Sequence, residues 1–289
     1  MEVKITPLNW RKYVTNKDSV TAVNNDFMLV ENLHLLPVFD FPFKVDMAVL
    51  AICTQGVARY RVNFKHYESK APCINILLHN QTLQKEYGSD DFQGYAIVAS
   101  KQFIDSLLHD MRRREIMLQA VENPVIPLSG DELNMFVSYY KNIKRIIELS
   151  NTPYLLETLK HLTLAFIYGT NFHDNLLLEN TAASPQQMFT NRFMALVREN
   201  FKRERQMSFY AGKLCLTPKY LSLKIRAITG KSAADWIDDY VMLEAKALLK
   251  STNMTIQQIS DELNFTSQSF FGKYFKRYEG MSPKEYREG

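Results

Sequence analysis

Near the C-terminus, side chains that donate hydrogen bonds gather on two short stretches. Lys219, Ser222 and Arg226 lie on the first, and Gln268, Ser269, Lys273, Lys276 and Arg277 on the second. Lysine and arginine bring N–H donors and positive charge to phosphate oxygens. Lysine and glutamine can also bond acceptor atoms on base edges. That is the chemistry of gripping a polyanion, with no covalent bond made or broken. The charge balance agrees: residues 186–289 hold 17 Lys and Arg against 11 Asp and Glu, whereas residues 1–185 hold 18 against 20. A basic segment coinciding with these donors is what a polyanion-binding surface requires.

Other chemistries find weaker support. A metal-dependent enzyme needs clustered histidine and carboxylate ligands. His34, His66, His79, His109, His161 and His173 are scattered, with no His-x-His pair; His66 and Glu68 share one strand face, too few for a site. The three cysteines, Cys53, Cys73 and Cys215, are far apart and odd in number, which suggests neither a disulfide framework nor a zinc site. Cys53 and Cys73 sit in apolar sequence and read as core rather than as an activated alkyl acceptor. The sequence thus yields no catalytic residue, no metal ligand set and no cofactor. No apolar run reaches the length of a membrane helix, and Met1–Trp10 lacks the features of a signal peptide, so a cytoplasmic protein without membrane contact is expected.

The donors must be held by something, and the chain repeats the holder. Met207, Tyr210, Ala211, Leu214 and Leu216 match Ile256, Ile259, Ser260, Leu263 and Phe265 at an offset of 49. Beyond the turn, Leu221, Ile225, Gly230, Ser232, Asp235 and Trp236 match Phe271, Phe275, Gly280, Ser282, Glu285 and Tyr286 at an offset of 50. One residue has therefore been inserted in the second turn. Each copy reads as a helix-turn-helix: a small residue at the crossing (Ala211, Ser260), a tight turn, and an inward apolar face on the following helix. Thr217-Pro218 opens that helix in the first copy, and Thr266 or Ser267 caps it in the second. Asn264 fills a turn position where left-handed backbone is tolerated. Leu221, Ile225 and Ile228 face inward in one copy; Phe271, Phe275 and Tyr274 do so in the other. The periodicity predicts helices over 186–202, 208–214, 218–229, 233–250, 256–263 and 268–278, with a short one after Pro283.

The first hundred residues change period. Ala58 to Phe64 alternates as a half-buried strand does, while Val45–Ile52, Ile74–Leu78 and Tyr95–Ala99 are apolar runs of strand length. Short strands at this spacing suggest a barrel or sandwich. Its interior is expected to take Tyr60, Val62, Phe64, Ile76 and Leu78, or their opposite-face neighbours. Arg59 and Arg61 occupy the other face of their strand; turned inward, they would hold an anionic or sugar-like ligand. Ser100 caps a helix carrying Phe103, Leu107, Leu108 and Met111, ending near Arg112-Arg113-Arg114. Two amphipathic helices follow, Asp131–Leu149 and Tyr154 to about Phe172, and residues 179–184 read as a linker. The expected class is α+β: a β-barrel over 1–99, helices over 100–178, and an all-helical region over 186–289.

The stretch Ile256–Arg287, with Leu216–Ser232, resembles the AraC/XylS family of bacterial transcription regulators. The likeness covers residues 186–289, including the one-residue difference between the units. More weakly, a cupin-like barrel followed by a helix pair resembles the effector and dimerisation domain of many members. The resemblance implies a sequence-specific regulator of transcription. Its partners would be double-stranded DNA, a second copy of the chain, RNA polymerase and a small-molecule effector at 1–180. The other reading it leaves open is a cupin-type metal-dependent enzyme domain fused to a DNA-binding module. The family's base-reading positions fall on Lys219, Ser222, Leu223, Gln268, Ser269, Gly272 and Lys273, and its phosphate contacts on Thr217, Arg226, Ser267, Lys276 and Arg277. Leu223 stands where members often carry a polar side chain, Gly272 has no side chain to offer, and Cys215 and Asn264 stand where glycine is common. The effector-binding residues are not identified by either route.

Overall fold

A computed structural model describes residues 19–36, 38–107, 123–149, 152–169 and 185–288. Leu108, Met111, Arg112–Arg114, the end of the second helix of the pair and the linker at 179–184 lie outside the described residues. The chain divides into two compact units, residues 1–180 and 181–289. The first combines sheets and helices and the second is helical among its described residues, which is the α+β class expected.

In the first unit, β1 (Val20–Val23), β2 (Phe27–Val30), β4 (Ala48–Gln55), β7 (Cys73–Leu77), β9 (Gln93–Ala99) and β10 (Val125–Pro127) form one antiparallel sheet in the order β1-β2-β9-β4-β7-β10. A second antiparallel sheet, in the order β3-β8-β5-β6, comprises β3 (Phe43–Lys44), β5 (Val57–Val62), β6 (Lys65–Lys70) and β8 (Thr82–Gly88). Apolar side chains from both sheets, among them Val49, Ala51, Leu77, Val98, Phe43, Val62 and Leu83, share one core. The opposite face of the six-stranded sheet, with Phe27, Leu29, Ile52, Ile74 and Ile76, is covered by helices. These are α1 (Lys101–Leu107), α2 (Gly130–Leu149) and α3 (Leu155–Gly169). Ser100 Oγ accepts from the Phe103 amide and starts α1. Tyr139 of α2 donates to Thr163 of α3, and Tyr140 lies against Tyr95 with ring centroids 4.7 Å apart.

A sheet covered on both faces buries side chains on both, so its strands show no alternation of apolar and exposed polar residues. All five residues of β7 are buried for that reason. Asn75 and Leu77 point between the sheets, whereas Ile76 and Leu78 pack toward the helices. At β7, therefore, the interior is supplied by the opposite-face neighbours. The alternating strand β5 behaves as its pattern says: Tyr60 and Val62 join the inter-sheet core.

The second unit runs α4 (Pro185–Asn200), α5 (Met207–Lys213), α6 (Pro218–Thr229), α7 (Ala233–Ser251), α8 (Ile256–Glu262), α9 (Gln268–Glu279) and α10 (Pro283–Glu288). Its core is centred on α7, where Ile237, Val241, Ala245 and Leu248 are buried. Among the described residues no helix is long and apolar enough to cross a membrane.

Candidate nucleic-acid interface

The repeat in sequence is a repeat in backbone. Helices α5 and α8 each have seven residues, and α6 and α9 each have twelve. The small residues Ala211 and Ser260 are buried to about the last per cent where the helices cross. In each turn one residue other than glycine takes left-handed backbone, Cys215 at φ 56° and Asn264 at φ 53°. The amide after it reaches back to the crossing residue: Leu216 N–H to Ala211 O at 2.8 Å, and Phe265 N–H to Ser260 O at 2.9 Å. Thr217 caps α6 and Ser267 caps α9, each side chain accepting the amide three residues on. Thr266 is thus the inserted residue. Both helices end at a left-handed glycine, Gly230 and Gly280.

Exposure repeats as well. Leu221 and Ile225 of α6 are fully buried, as are Phe271 and Phe275 of α9. Thr217, Lys219, Leu223 and Arg226 are exposed, with Ser222 half-buried beside them. Ser267, Gln268, Ser269, Lys273, Lys276 and Arg277 are exposed, with Gly272 in the place of Ser222. Ile228 and Tyr274, assigned inward, are half-buried.

Local chemistry fixes how each helix sits. Ser232 and Asp235 form a capping box that starts α7, and Ser282 and Glu285 exchange the same bonds at the start of α10. The acidic member of the repeated acidic–aromatic pair is therefore a helix cap. The aromatic members lock neighbours: Trp236 Nε1 donates to Thr229 Oγ1 at 3.0 Å, and the Tyr286 ring lies 5.5 Å from that of Phe275. Asp238 of α7 accepts from Tyr274 Oη at 2.7 Å and from Tyr278 Oη, so α9 is tied to the central helix. Burial, then the bond to Asp238, pushes Tyr278 up to about 12. Lys202 Nζ lies 2.8 Å from buried Glu244 of α7 and 2.7 Å from Glu262 of α8. Burial pulls the Lys202 ammonium down, but the two carboxylates outweigh it and its pKa is raised.

A second concavity lies in the first unit. A cavity of about 570 Å³ opens between the sheets, floored by Val49, Ala51, Leu77 and Leu83. Arg59 and Lys85, both exposed, stand along its lining. Simple alternation puts Arg59 on the far face of β5. An extra residue in β8 opposite the Arg59–Tyr60 step breaks the ladder there, and the guanidinium lies over the Tyr87 ring, 4.8 Å from its centroid. Arg61 remains outside, bonded to Glu86 at 3.1 Å, and His66 meets the same carboxylate rather than Glu68. Cys53 and Cys73 face each other in register and are buried as expected, but in a polar cluster. Asn75 Nδ2 donates to Cys53 Sγ at 2.9 Å and to Ser69 Oγ at 2.7 Å, and Tyr60 Oη donates to Asn75 Oδ1 at 2.6 Å. The bond to Cys73 and burial push the Cys53 thiol far up. No three His, Cys, Asp or Glu side chains gather as a metal-ligand group among the described residues.

Comparison with known proteins bears on the C-terminal segment. Residues 210–289 match the family described as helix-turn-helix domain. The segment is 37% identical over 79 residues to the arabinose operon regulatory proteins of Salmonella typhimurium and Escherichia coli. This is an AraC-type helix-turn-helix domain. The match covers 27% of the chain and 28% and 27% of those two relatives, so it speaks for the domain alone. The Msm operon regulatory protein of Streptococcus mutans is 25% identical over 155 residues, 52% of this chain and 55% of its own. A crystal structure of ToxT from Vibrio cholerae aligns over 91% of this chain and 98% of its own, with 17% identity and a TM-score of 0.43.

Within the AraC-type domain, two side chains on the outward surfaces escaped the sequence reading. Tyr220 and Phe270 hold equivalent places in α6 and α9 and are 52% and 54% exposed. Their signal was available in the repeat, since both stand one residue before a buried anchor at the offset of 50.

Proposed function

We propose that the protein is a transcription regulator that binds double-stranded DNA in a sequence-specific manner. The observation carrying this reading is the paired exposure pattern of α6 and α9: buried anchors at matched positions leave a polar, cationic face in each copy. Lys219, Ser222, Leu223, Gln268, Ser269, Gly272 and Lys273 face the bases; Thr217, Arg226, Ser267, Lys276 and Arg277 hold phosphates. Leu223, 60% exposed, offers methyl groups to a thymine methyl. The connector α7 has 19 residues, about 28 Å at ~1.5 Å per residue. Adjacent major grooves on one duplex face lie about 34 Å apart, so a connector of this length with its flanking turns suits two neighbouring grooves.

The first unit acts as the sensor. The cavity between its sheets accepts a small molecule, whose occupancy biases the arrangement of the DNA-binding units. Helices α2 and α3 supply the face for a second copy of the chain, and RNA polymerase is the downstream partner. The protein works in the cytoplasm and is not an enzyme; the regulatory names of its relatives support this.

Selection of genomic DNA fragments by the purified chain is expected to return one recurrent motif. Binding without a motif would turn the protein into a nonspecific DNA binder. On the selected site, Lys273→Ala costs about 1–3 kcal/mol and relaxes preference at one base pair, while Arg277→Ala weakens all sequences alike. Uniform losses from both would reverse the assignment of reader and anchor.

A further inference from the structure

The cavity in the first unit carries a statement about what fills it; this rests on the sensing role given above. We infer that its ligand is an amphipathic organic anion: an apolar body with one carboxylate, sulfonate or similar head, and not a sugar or other polyol.

The size suits one drug-sized molecule, since such pockets span roughly 300–1,000 Å³. The floor is hydrocarbon, from Val49, Ala51, Leu77 and Leu83. The lining's polar side chains that are not exposed are already occupied, Ser89 by the Val57 amide, while His34 and Tyr87 are exposed. Tyr60 Oη is spent on Asn75 Oδ1, and the Asn75 amide is spent on Cys53 and Ser69. Burial holds the Tyr60 phenol protonated well past its usual range, so it stays a donor to Asn75. None of the buried side-chain atoms left without a partner among the described residues belongs to the lining. A polyol entering this floor would lose its bonds to water and find few replacements, which disfavours it. An apolar body loses nothing there.

The charged groups of the lining lean the other way. Arg59 and Lys85 face a single lining carboxylate, Asp90. Neither cation forms an ion pair among the described residues, whereas Arg61, two positions along from Arg59, is neutralised by Glu86. The Tyr87 ring beneath Arg59 holds the guanidinium plane in position, ready for two parallel bonds to an oxyanion.

The test uses the full chain and two fluorescent probes of the same body, anilinonaphthalene sulfonate and its neutral parent phenylnaphthylamine. The sulfonate is expected to bind about tenfold more tightly, the value of one charge-assisted bond. Arg59→Gln combined with Lys85→Gln, both at exposed positions, should erase that ratio and leave the neutral probe unchanged. Ala51→Leu should weaken both probes by filling the floor. Equal affinity of the two probes, a ratio that survives the double variant, or displacement of the sulfonate by glucose would overturn the inference. Affinity for a selected DNA fragment is followed in the same samples. A probe ratio as expected with unchanged DNA affinity would keep the ligand class and remove the sensing role. A shift in DNA affinity without the ratio would do the opposite.

Discussion

The two helix-turn-helix units share a backbone and differ in what anchors it. In the first, α4 lies against both α5 and α6 and supplies hydrocarbon and rings: Phe193 meets Tyr210 edge-on at 6.2 Å, and Lys224 sits 4.1 Å from the centre of the Phe189 ring. The ties to α7 are the neutral bond of Trp236 to Thr229 and, just past α6, one ion pair of Lys231 with Asp239. In the second, charge reaches the buried interior of the unit. Lys202 joins Glu244 to Glu262, Asp238 holds two tyrosines, and Arg205 stacks 3.7 Å from the Phe265 ring. Glu262 has Lys213 as its counterpart in the first unit, so the bridge cannot have an equivalent there. The lesson is that duplication preserves crossing, turn and cap, which local geometry dictates. Anchoring depends on which neighbours happen to be in reach, and it diverges.

The largest expected effect comes from breaking the charged anchor. Lys202→Met removes the Lys202 ammonium from beside the Glu244 carboxylate, which is 4% exposed. Removing one partner of a buried pair costs about 3–5 kcal/mol, and the quarter exposure of Lys202 places this case near the lower end. Urea unfolding of the full chain should show the loss, and adding Glu244→Gln should recover most of it. Hydrogen exchange localises the damage: amides of α8 and α9 lose protection while those of α5 and α6 keep theirs. Equal loss in both units would show that the second is not separately anchored.

A smaller effect sharpens the comparison at the turns. Left-handed backbone costs an ordinary L-residue about 1–2 kcal/mol, and asparagine is among the few that visit it routinely. Cys215→Gly should therefore stabilise the chain by about 1 kcal/mol, the relief of strain exceeding glycine's extra entropy in the unfolded state. Asn264→Gly should gain nothing, because asparagine already tolerates the conformation and its Nδ2 donates to Arg203 O at 3.3 Å. Thermal unfolding of the two variants side by side decides it; identical shifts would mean that the turns carry the same strain.

How much of this could be read from the residues depends on how local the cause is. The turn at Cys215 and Asn264, the cap at Thr217 and the anchors Phe271 and Phe275 follow from short-range sterics and periodicity, and the repeat supplied two readings of each. The cap at 266–267 was ambiguous because both residues can accept an amide, and only the start of α9 separates them. In the first unit the strand runs were legible but their facing was not. Ile74–Leu78 is apolar throughout, so nothing in it distinguishes the face of Asn75 from that of Ile76. Arg59 lines the cavity together with its neighbour Tyr60, at a step where the ladder to β8 is irregular, and alternation within β5 cannot reveal that. Asp238 and Lys202 act across 36 and 60 positions, beyond any local pattern.

The smallest effect concerns one position where the copies differ on the outward face. Gly272 stands where the first unit has Ser222, in the middle of α9. Glycine inside a helix costs about 1 kcal/mol relative to alanine. A methyl group built there meets no atom within 4 Å. Gly272→Ala is thus expected to raise stability by about 0.5–1 kcal/mol, with no steric penalty to offset it. Packing inside the chain gives no reason for a glycine here; close approach of another surface to the backbone would. If Gly272→Ala stabilises the chain and lowers affinity for the selected DNA, the second helix seats its backbone deeper than the first, where Ser222 keeps a side chain. If affinity is unchanged, the two helices sit alike, and their difference lies only in the side chains they present.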